Sequence, residues 1–264
     1  MAKTPVQNRY QALIESIFFE SFRPGMTDFE FERSELKAHA TKLDITLPEN
    51  LGDVIYAMRF RTPLPSRVLD TQTDGKEWVI ELAGRSKYRF RLVRATRIIP
   101  RDDLAKIGIP DATPELIRAY ALDDEQALLA IVRYNRLIDT FLGLTTYSLQ
   151  NHLRTVVSGI GQIEIDELYV GLDRYGCHYV IPVQAKGGKD QIGVVQTTQD
   201  IRFAAEKFPG MRCRAISAQF MPDGSIALFE LTVQDHEVKV VQERHYQLLP
   251  ANKLNRDMIV RYVD

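Results

Sequence analysis

The stretch from Glu164 to Lys186 constrains the fold of this chain more than any other. It reads EIDELYVGLDRYGCHYVIPVQAK, two runs rich in aliphatic and aromatic residues that flank a short polar segment. That segment, Asp173–Gly176, opens with aspartate and closes with glycine, as a type I turn prefers. The sequence therefore predicts two strands joined by a tight turn, a β-hairpin. The apolar positions are Ile163, Ile165, Leu168, Val170 and Leu172 in the first strand and Tyr179, Val180, Ile181 and Val183 in the second.

Polar groups that can bind a metal and a water molecule lie at one end of this hairpin. Acidic residues crowd the first strand, and the second strand ends in Gln184-Ala185-Lys186. Since side chains alternate between the faces of a strand, Gln184 and Lys186 share a face and Ala185 packs behind them. A carboxylate on one strand, with an amide and an ammonium on the next, can hold a hard cation together with a water. The hairpin is therefore the candidate catalytic centre.

The elements around the hairpin follow an informative order. Apolar spacing predicts, in turn, helices over about 123–142 and 147–157, the hairpin, a helix over about 192–208 and a strand over 213–220. This α, α, β, β, α, β order resembles the core of the PD-(D/E)XK nuclease superfamily. Within it, Gln184-Ala185-Lys186 resembles the Gln-x-Lys variant of Mrr-type restriction endonucleases. The resemblance covers about residues 147–220.

The resemblance implies a role for each polar residue of the hairpin. Asp166 would be the metal-binding aspartate, Gln184 would occupy the second acidic position, and Lys186 would be the catalytic lysine. A glutamine supplies only a carbonyl oxygen, so the site has one negative charge fewer than the family norm. Glu164 shares a strand face with Asp166 and is the candidate that restores the charge. The implied metal ligands are Asp166, Gln184 and Glu164, and the implied cofactor is Mg²⁺, with Mn²⁺ as a substitute.

The N-terminal part of the chain predicts a DNA-binding module. Three helices, over about 6–22, 32–43 and 50–60, precede strand-like runs over 77–82 and 87–93, which is the order of a winged helix. Between Arg59 and Arg97 there are ten lysines and arginines against four acids, a surplus typical of nucleic-acid binding. A basic face that is merely solvated is the alternative. The predicted DNA contacts are Asn50, Tyr56, Arg59, Arg61, Arg85, Lys87, Arg89 and Arg91.

These elements predict a mixed α+β or α/β chain of two domains. Residues 1–100 would form a winged helix-turn-helix domain. Residues 101–122, rich in proline and charge, would be a linker. Residues 123–264 would form an αββαβ, restriction-endonuclease-like domain with a mixed sheet.

The function predicted on this basis is Mg²⁺-dependent, sequence-specific cleavage of double-stranded DNA by a type II-like restriction endonuclease. The alternatives are a modification-dependent or repair nuclease and a non-enzymatic winged-helix regulator. Two cysteines suit a reducing, cytoplasmic location, and no apolar run is long enough to predict a membrane partner. Symmetric cleavage of both strands would call for a homodimer.

Two features weigh against this interpretation. Pro182 lies in a strand expected near the middle of the sheet, where proline removes a ladder hydrogen bond. A rival site, Asp223, Glu237 and Lys239, matches the superfamily motif letter for letter. Its context is poorer, because Asp223 and Glu237 both lie beside predicted turns and no long helix follows Lys239.

Overall fold

A computed structural model of the chain describes residues 8–60, 62–73, 75–94, 98–120, 125–187, 192–234 and 237–254. Within these ranges it is an α+β structure with eight α-helices, a three-stranded sheet and a mixed eight-stranded sheet. The chain divides into two units. The first comprises Met1–Ala95 with Val156–Gln162, and the second comprises Thr96–Thr155 with Ile163–Asp264.

The first unit combines four helices with the three-stranded antiparallel sheet. Its elements are α1 (Arg9–Ser21), β1 (Asp28–Glu32), α2 (Arg33–Lys42), α3 (Gly52–Phe60), α4 (Ser66–Leu69), β2 (Lys76–Gly84) and β3 (Lys87–Arg94). The sheet order is β1-β3-β2, so the first strand pairs with the last. β1 is absent from the sequence prediction, although Phe29 and Phe31 alternate in it as a half-buried strand requires.

An aromatic core holds the helices of the first unit against its sheet. Phe18 of α1 is fully buried, and its ring meets those of Trp78 in β2 and Phe90 in β3 edge-to-face, at 5.2 and 5.0 Å. Such pairs contribute about 0.5–1.5 kcal/mol beyond the burial of apolar area. α1 begins with a capping box, in which the backbone N–H of Asn8 donates to Oε1 of Gln11 at 3.0 Å.

The second unit is organised around the eight-stranded sheet. Its elements are β4 (Lys106–Pro110), α5 (Glu115–Tyr120), α6 (Glu125–Tyr134), α7 (Leu137–Leu142), β5 (Thr145–Val157), β6 (Gly161–Leu172), β7 (His178–Lys186), α8 (Val194–Lys207), β8 (Arg212–Cys213), β9 (Ala215–Phe220), β10 (Ile226–Gln234), β11 (Glu237–Leu249) and a 3₁₀ turn (Ala251–Lys253). The strand order is β4-β11-β10-β9-β7-β6-β5, and β8 also pairs with β7. β6 and β7 are antiparallel, whereas β9 lies parallel to β7 and is reached through α8.

Helices cover both faces of this sheet. On one face, Leu128 of α6 and Leu137 of α7 belong to the same buried cluster as Ile181 and Val183 of β7. Because side chains alternate along a strand, Gln184 points to the opposite face, which α8 covers. The end of β7 therefore presents polar groups beside α8.

The segment predicted as a helix over 147–157 is instead the strand β5. Leu149, Leu153 and Val156 recur at the i, i+4, i+7 spacing that a helix would show, which explains the wrong prediction. β-Branched residues at both ends, Thr145-Thr146 and Thr155-Val156-Val157, favour the extended conformation. Pairing with β6 at the edge of the sheet then satisfies the backbone of one side of the strand.

Two further boundaries differ from the sequence prediction. The range 101–122, predicted as a linker, contains β4 and α5, and β4 pairs in parallel with β11. The helix predicted over 123–142 is two helices, because the chain turns at Arg136, whose φ of 47° lies in the left-handed region. Asn135 supports this turn: its Oδ1 accepts the N–H of Ala112 at 2.7 Å and its Nδ2 donates to Oγ1 of Thr113, also at 2.7 Å.

Pro182 lies within β7 at a place where its missing N–H costs little. Backbone groups of alternate residues in a strand point to the same neighbour. The carbonyl of Val180 accepts the N–H of Arg214 at 3.1 Å, so the nitrogen of Pro182 also points to the side of β8 and β9. Between the end of β8 at Cys213 and the start of β9 at Ala215 the pairing is interrupted. The proline therefore faces a gap in the ladder rather than a paired residue.

Candidate active site

Asp166 lies where the described pairing of β6 with β7 ends. The last pair of that ladder is Glu167 with Val183. Beyond it the carboxylate of Asp166 replaces a backbone partner, since Oδ2 accepts the N–H of Ala185 at 2.9 Å. Burial raises the pKa of Asp166, while the bond from Ala185 and the charge of Lys186 act in the opposite direction. The two strands thus separate at a carboxylate that is fixed through one of its oxygens.

Gln184 is almost fully buried next to this carboxylate, with 3% of its surface exposed. Its Nε2 donates to the backbone oxygen of Glu164 at 3.3 Å and to Oδ2 of Asp200 at 3.0 Å. Both partners are acceptors, so the amide nitrogen faces them and Oε1 points away. Oε1 is buried and has no hydrogen-bond partner among the described residues. A buried polar atom in this condition indicates a place for a water, an ion or a ligand atom.

Lys186 reaches the same region from the end of β7. Its Nζ donates to Oε1 of Glu125, at the start of α6, at 3.0 Å, and only 12% of the lysine side chain is exposed. Its positive charge is close enough to lower the pKa of Asp166. Glu125 is absent from the predicted site. The sequence offers one signal for it, its place among the acids that begin a strongly amphipathic helix.

Asp200 of α8 is a second residue that the sequence prediction misses. It is 2% exposed, and burial, together with the charge of Asp166, raises its pKa to about 8, although the hydrogen bond from Gln184 and the charge of Lys186 lower it. Its Oδ1 is buried without a hydrogen-bond partner in the described part of the chain. The sequence signal is an acid on the buried stripe of a helix, three residues before Phe203.

The carboxylate of Glu164 is directed to β5. Its Oε1 lies 3.4 Å from Nδ1 of His152, and its Oε2 accepts the Nε–H of Arg154 at 3.2 Å. Glu164 contacts Gln184 through its backbone carbonyl, which accepts a hydrogen bond from Nε2 of Gln184. The negative charge of Glu164 still raises the pKa of Asp166, but its oxygens are occupied by two basic side chains.

The rival set is spread over two ends of one hairpin. Asp223 lies in the turn before β10, where it accepts from Ser225 and pairs with Lys106. Glu237 and Lys239 pair with each other at the start of β11. Lys239 lies opposite Thr232, six residues along β10 from its first residue. At about 3.3 Å per residue this separates Lys239 from Asp223 by about 20 Å, too far for one metal centre.

The predicted DNA contacts of α3 are mostly engaged within the first unit. Asn50 caps the helix, since Oδ1 accepts the N–H of Gly52 at 3.1 Å and Nδ2 donates to Asp53 at 2.8 Å. Arg59 is partly buried, and burial lowers the pKa of its guanidinium to about 10. Tyr56 is exposed to 49%. Arg61 lies outside the described residues.

The predicted DNA contacts of the β2–β3 hairpin divide into two groups. Arg85 and Lys87, at its turn, are exposed. Arg89 and Arg91, further along β3, form ion pairs at 2.5 and 2.6 Å with Glu30 of β1 and Glu81 of β2. Among the predicted contacts of this hairpin, Arg85 and Lys87 therefore expose positive charge at the turn, whereas Arg89 and Arg91 are offset by acids.

The oxygens at the end of β7 suit a hard divalent cation. Mg²⁺ prefers oxygen ligands, keeps several waters and is usually held by one or two carboxylates. Asp166 supplies a carboxylate, and Oε1 of Gln184 supplies a buried carbonyl oxygen that lacks a described partner. In the described ranges no three His, Cys, Asp or Glu side chains converge as a ready cation site. The fit therefore depends on the amide oxygen.

No protein-family model matches the chain, and comparisons with curated proteins and with solved structures found no match either. Among the residues that the structure describes, no helix has the length and apolar character needed to cross a membrane.

Proposed function

We propose that the protein is a Mg²⁺-dependent, sequence-specific endonuclease that hydrolyses phosphodiester bonds in double-stranded DNA, as a restriction enzyme does. One observation carries the proposal. Asp166, Gln184 and Lys186 converge at the end of β7, with the amide oxygen of Gln184 buried and lacking a partner among the described residues. A carboxylate, a carbonyl oxygen and an ammonium so placed suit the hydrolysis of a phosphate ester.

Each of these residues has a definable task in that reaction. Mg²⁺, when bound, would polarise the phosphate and lower the pKa of a bound water. Asp166 and Gln184 offer it hard oxygen atoms from two strands that separate at this point. Lys186, held by Glu125, presents its ammonium where it can orient the attacking water and stabilise negative charge that develops on the phosphate.

The topology of the second unit supports this proposal. A helix, α6, precedes the β6–β7 hairpin, α8 follows it, and β9 then pairs in parallel with β7. This is the order expected of a PD-(D/E)XK-like domain, with the acid on the first hairpin strand and the lysine at the end of the second. The strand β5 adds an edge to that sheet.

The first unit supports a DNA-binding role through its order of elements. Helices α1 to α3 precede the β2–β3 hairpin, and β1 completes a sheet of order β1-β3-β2, an arrangement consistent with a winged helix. Arg85 and Lys87 expose positive charge at the turn of that hairpin. We propose that these two residues contact DNA phosphates, because phosphate contacts are commonly made by exposed arginine and lysine.

The test is a cleavage assay with purified full-length protein on supercoiled and linear DNA, with Mg²⁺ or Mn²⁺ and with EDTA as a control. Cation-dependent cleavage at fixed positions, abolished by Asp166→Ala, is the expected result. Glu206→Gln, an acid-to-amide change on α8 outside the site, is the matched control and should cut at the wild-type rate.

Other outcomes identify the alternatives. Cleavage only of methylated or damaged DNA would indicate a modification-dependent or repair nuclease. Tight DNA binding without cleavage of any of these substrates, with either cation, would contradict the nuclease proposal and favour a winged-helix regulator.

A further inference from the structure

Two buried oxygen atoms without described partners belong to side chains that touch each other. They are Oε1 of Gln184 and Oδ1 of Asp200, and each residue is at most 3% exposed. The other polar atoms of the two groups, Nε2 and Oδ2, are joined by a hydrogen bond of 3.0 Å. Leaving a buried acceptor without a partner is unfavourable, so two such atoms on side chains in contact point to a shared ligand.

The geometry of the pair limits where that ligand can lie. The terminal atoms of a carboxylate or an amide are about 2.2 Å apart, as the bond lengths require. With a 3.0 Å bond between the groups, the two oxygens are at most about 7.5 Å apart. Two oxygens bound directly to one Mg²⁺ are at most about 4.2 Å apart, a separation that lies within this upper limit.

The charges of the neighbouring side chains favour a cation over an anion. Asp166 contributes a nearby carboxylate, since its Oδ2 accepts the N–H of Ala185, the residue that follows Gln184, at 2.9 Å. Its negative charge also raises the pKa of Asp200. Lys186, whose positive charge lowers the pKa of both acids, is held by Glu125 at 3.0 Å. The carboxylate of Glu164 bonds to His152 and Arg154. Asp200 is therefore the acid whose second oxygen remains available beside Gln184.

We propose that Asp200 is the second carboxylate ligand of the divalent cation, binding it together with Asp166 and Oε1 of Gln184. The helix α8 thus supplies the negative charge that a glutamine at position 184 withholds. The proposal rests on the proposed function only in that the same cation would serve phosphodiester hydrolysis. Cation binding itself requires neither DNA nor turnover.

The test measures Mn²⁺ binding to the full-length protein without DNA, by the loss of the free-ion signal in electron paramagnetic resonance and by the Mn²⁺-dependent rise in melting temperature. Asp200→Asn keeps the size and the acceptor for Gln184 and removes the charge. It should weaken Mn²⁺ binding by about tenfold or more. In EDTA near neutral pH it should melt at or above the wild-type temperature, because asparagine is neutral without a proton, whereas buried Asp200 must take up a proton on folding. A residue with a purely structural role would lower the melting temperature and leave the affinity unchanged.

Glu206→Gln is the matched control and should bind Mn²⁺ as the wild type does. Wild-type affinity in Asp200→Asn would overturn the proposal, and a loss in Glu164→Gln instead would assign the ligand to β6. A wild-type protein that takes up no Mn²⁺ would overturn it as well. Asp200-dependent Mn²⁺ binding by a protein that cuts no DNA would leave this site standing and contradict the nuclease. DNA cleavage by a protein whose Mn²⁺ binding does not depend on Asp200 would support the nuclease and contradict this cation site.

Discussion

Because of Asp200, the free energy of unfolding of the cation-free protein should decrease as the pH rises. Asp200→Asn should remove this pH dependence. Burial raises the pKa of Asp200 from 3.8 to about 8 in the folded state. Between these values the unfolded chain releases the proton and the folded protein keeps it, so unfolding becomes easier with each pH unit. The slope is about 1.4 kcal/mol per pH unit, and the loss is complete once the pH passes the folded-state pKa. The free energy of unfolding is therefore lower at pH 8 than at pH 4 by at most about 6 kcal/mol.

Urea unfolding in EDTA at several pH values between 4.5 and 8 measures this slope. Far-UV circular dichroism follows both units, whereas the fluorescence of Trp78, the single tryptophan, follows the first unit and serves as an internal reference. Asp200→Asn should flatten the pH dependence of the second unit, and Glu206→Gln on the same helix should retain it. If the unfolding free energies of the wild type and Asp200→Asn changed in parallel between pH 5 and 8, Asp200 would not have a raised pKa in the folded protein.

Three further predictions concern other parts of the molecule. Glu125→Gln removes the ion pair that holds Lys186, the lysine of the proposed active site, so single-turnover DNA cleavage should slow by about tenfold to a hundredfold while DNA affinity is unchanged. A wild-type rate would show that the pair has no positioning role. The double change Arg85→Ala/Lys87→Ala should weaken DNA binding and reduce the slope of log K against log salt by about 2, and an unaltered slope would place the DNA contact elsewhere. Burial raises the pKa of Cys213 to about 12, so at pH 8 only about one Cys213 thiol in 10⁴ is ionised. Iodoacetamide should therefore alkylate the exposed Cys177 first, and equal alkylation rates of the two cysteines in a peptide-mapping experiment would contradict the burial of Cys213.

The hairpin could be predicted because local rules determine it. Alternation fixes the faces of Gln184 and Lys186 in β7, and the Asp173–Gly176 turn fixes the register of the two strands. The proximity of Asp166 to Ala185 follows from that register. β5 could not be predicted in the same way, because an exposed edge strand buries too few side chains to show a clear period.

The contributions of Glu125 and Asp200 depend on tertiary contacts. Glu125 meets Lys186 across 61 positions of sequence, and Asp200 meets Gln184 only because α8 returns the chain to β7. In the sequence, Asp200 is one acid on an amphipathic helix and Glu164 is the nearer acid to Asp166. The sequence therefore favours Glu164 as the second acid of the site. In the structure Asp200 takes that place, because His152 and Arg154 of β5 engage the carboxylate of Glu164.

Mg²⁺-dependent, single-turnover DNA cleavage by Lys186→Ala, with DNA binding measured on the same preparation, tests whether the active site lies at the end of β7. Lys207→Ala, an exposed lysine at the end of α8, is the matched control. We expect Lys186→Ala to bind DNA as the wild type does and to lose cleavage by at least about a hundredfold, because the ammonium that stabilises charge on the phosphate is gone. Cleavage at the wild-type rate by Lys186→Ala would contradict the assignment of the active site to the end of β7.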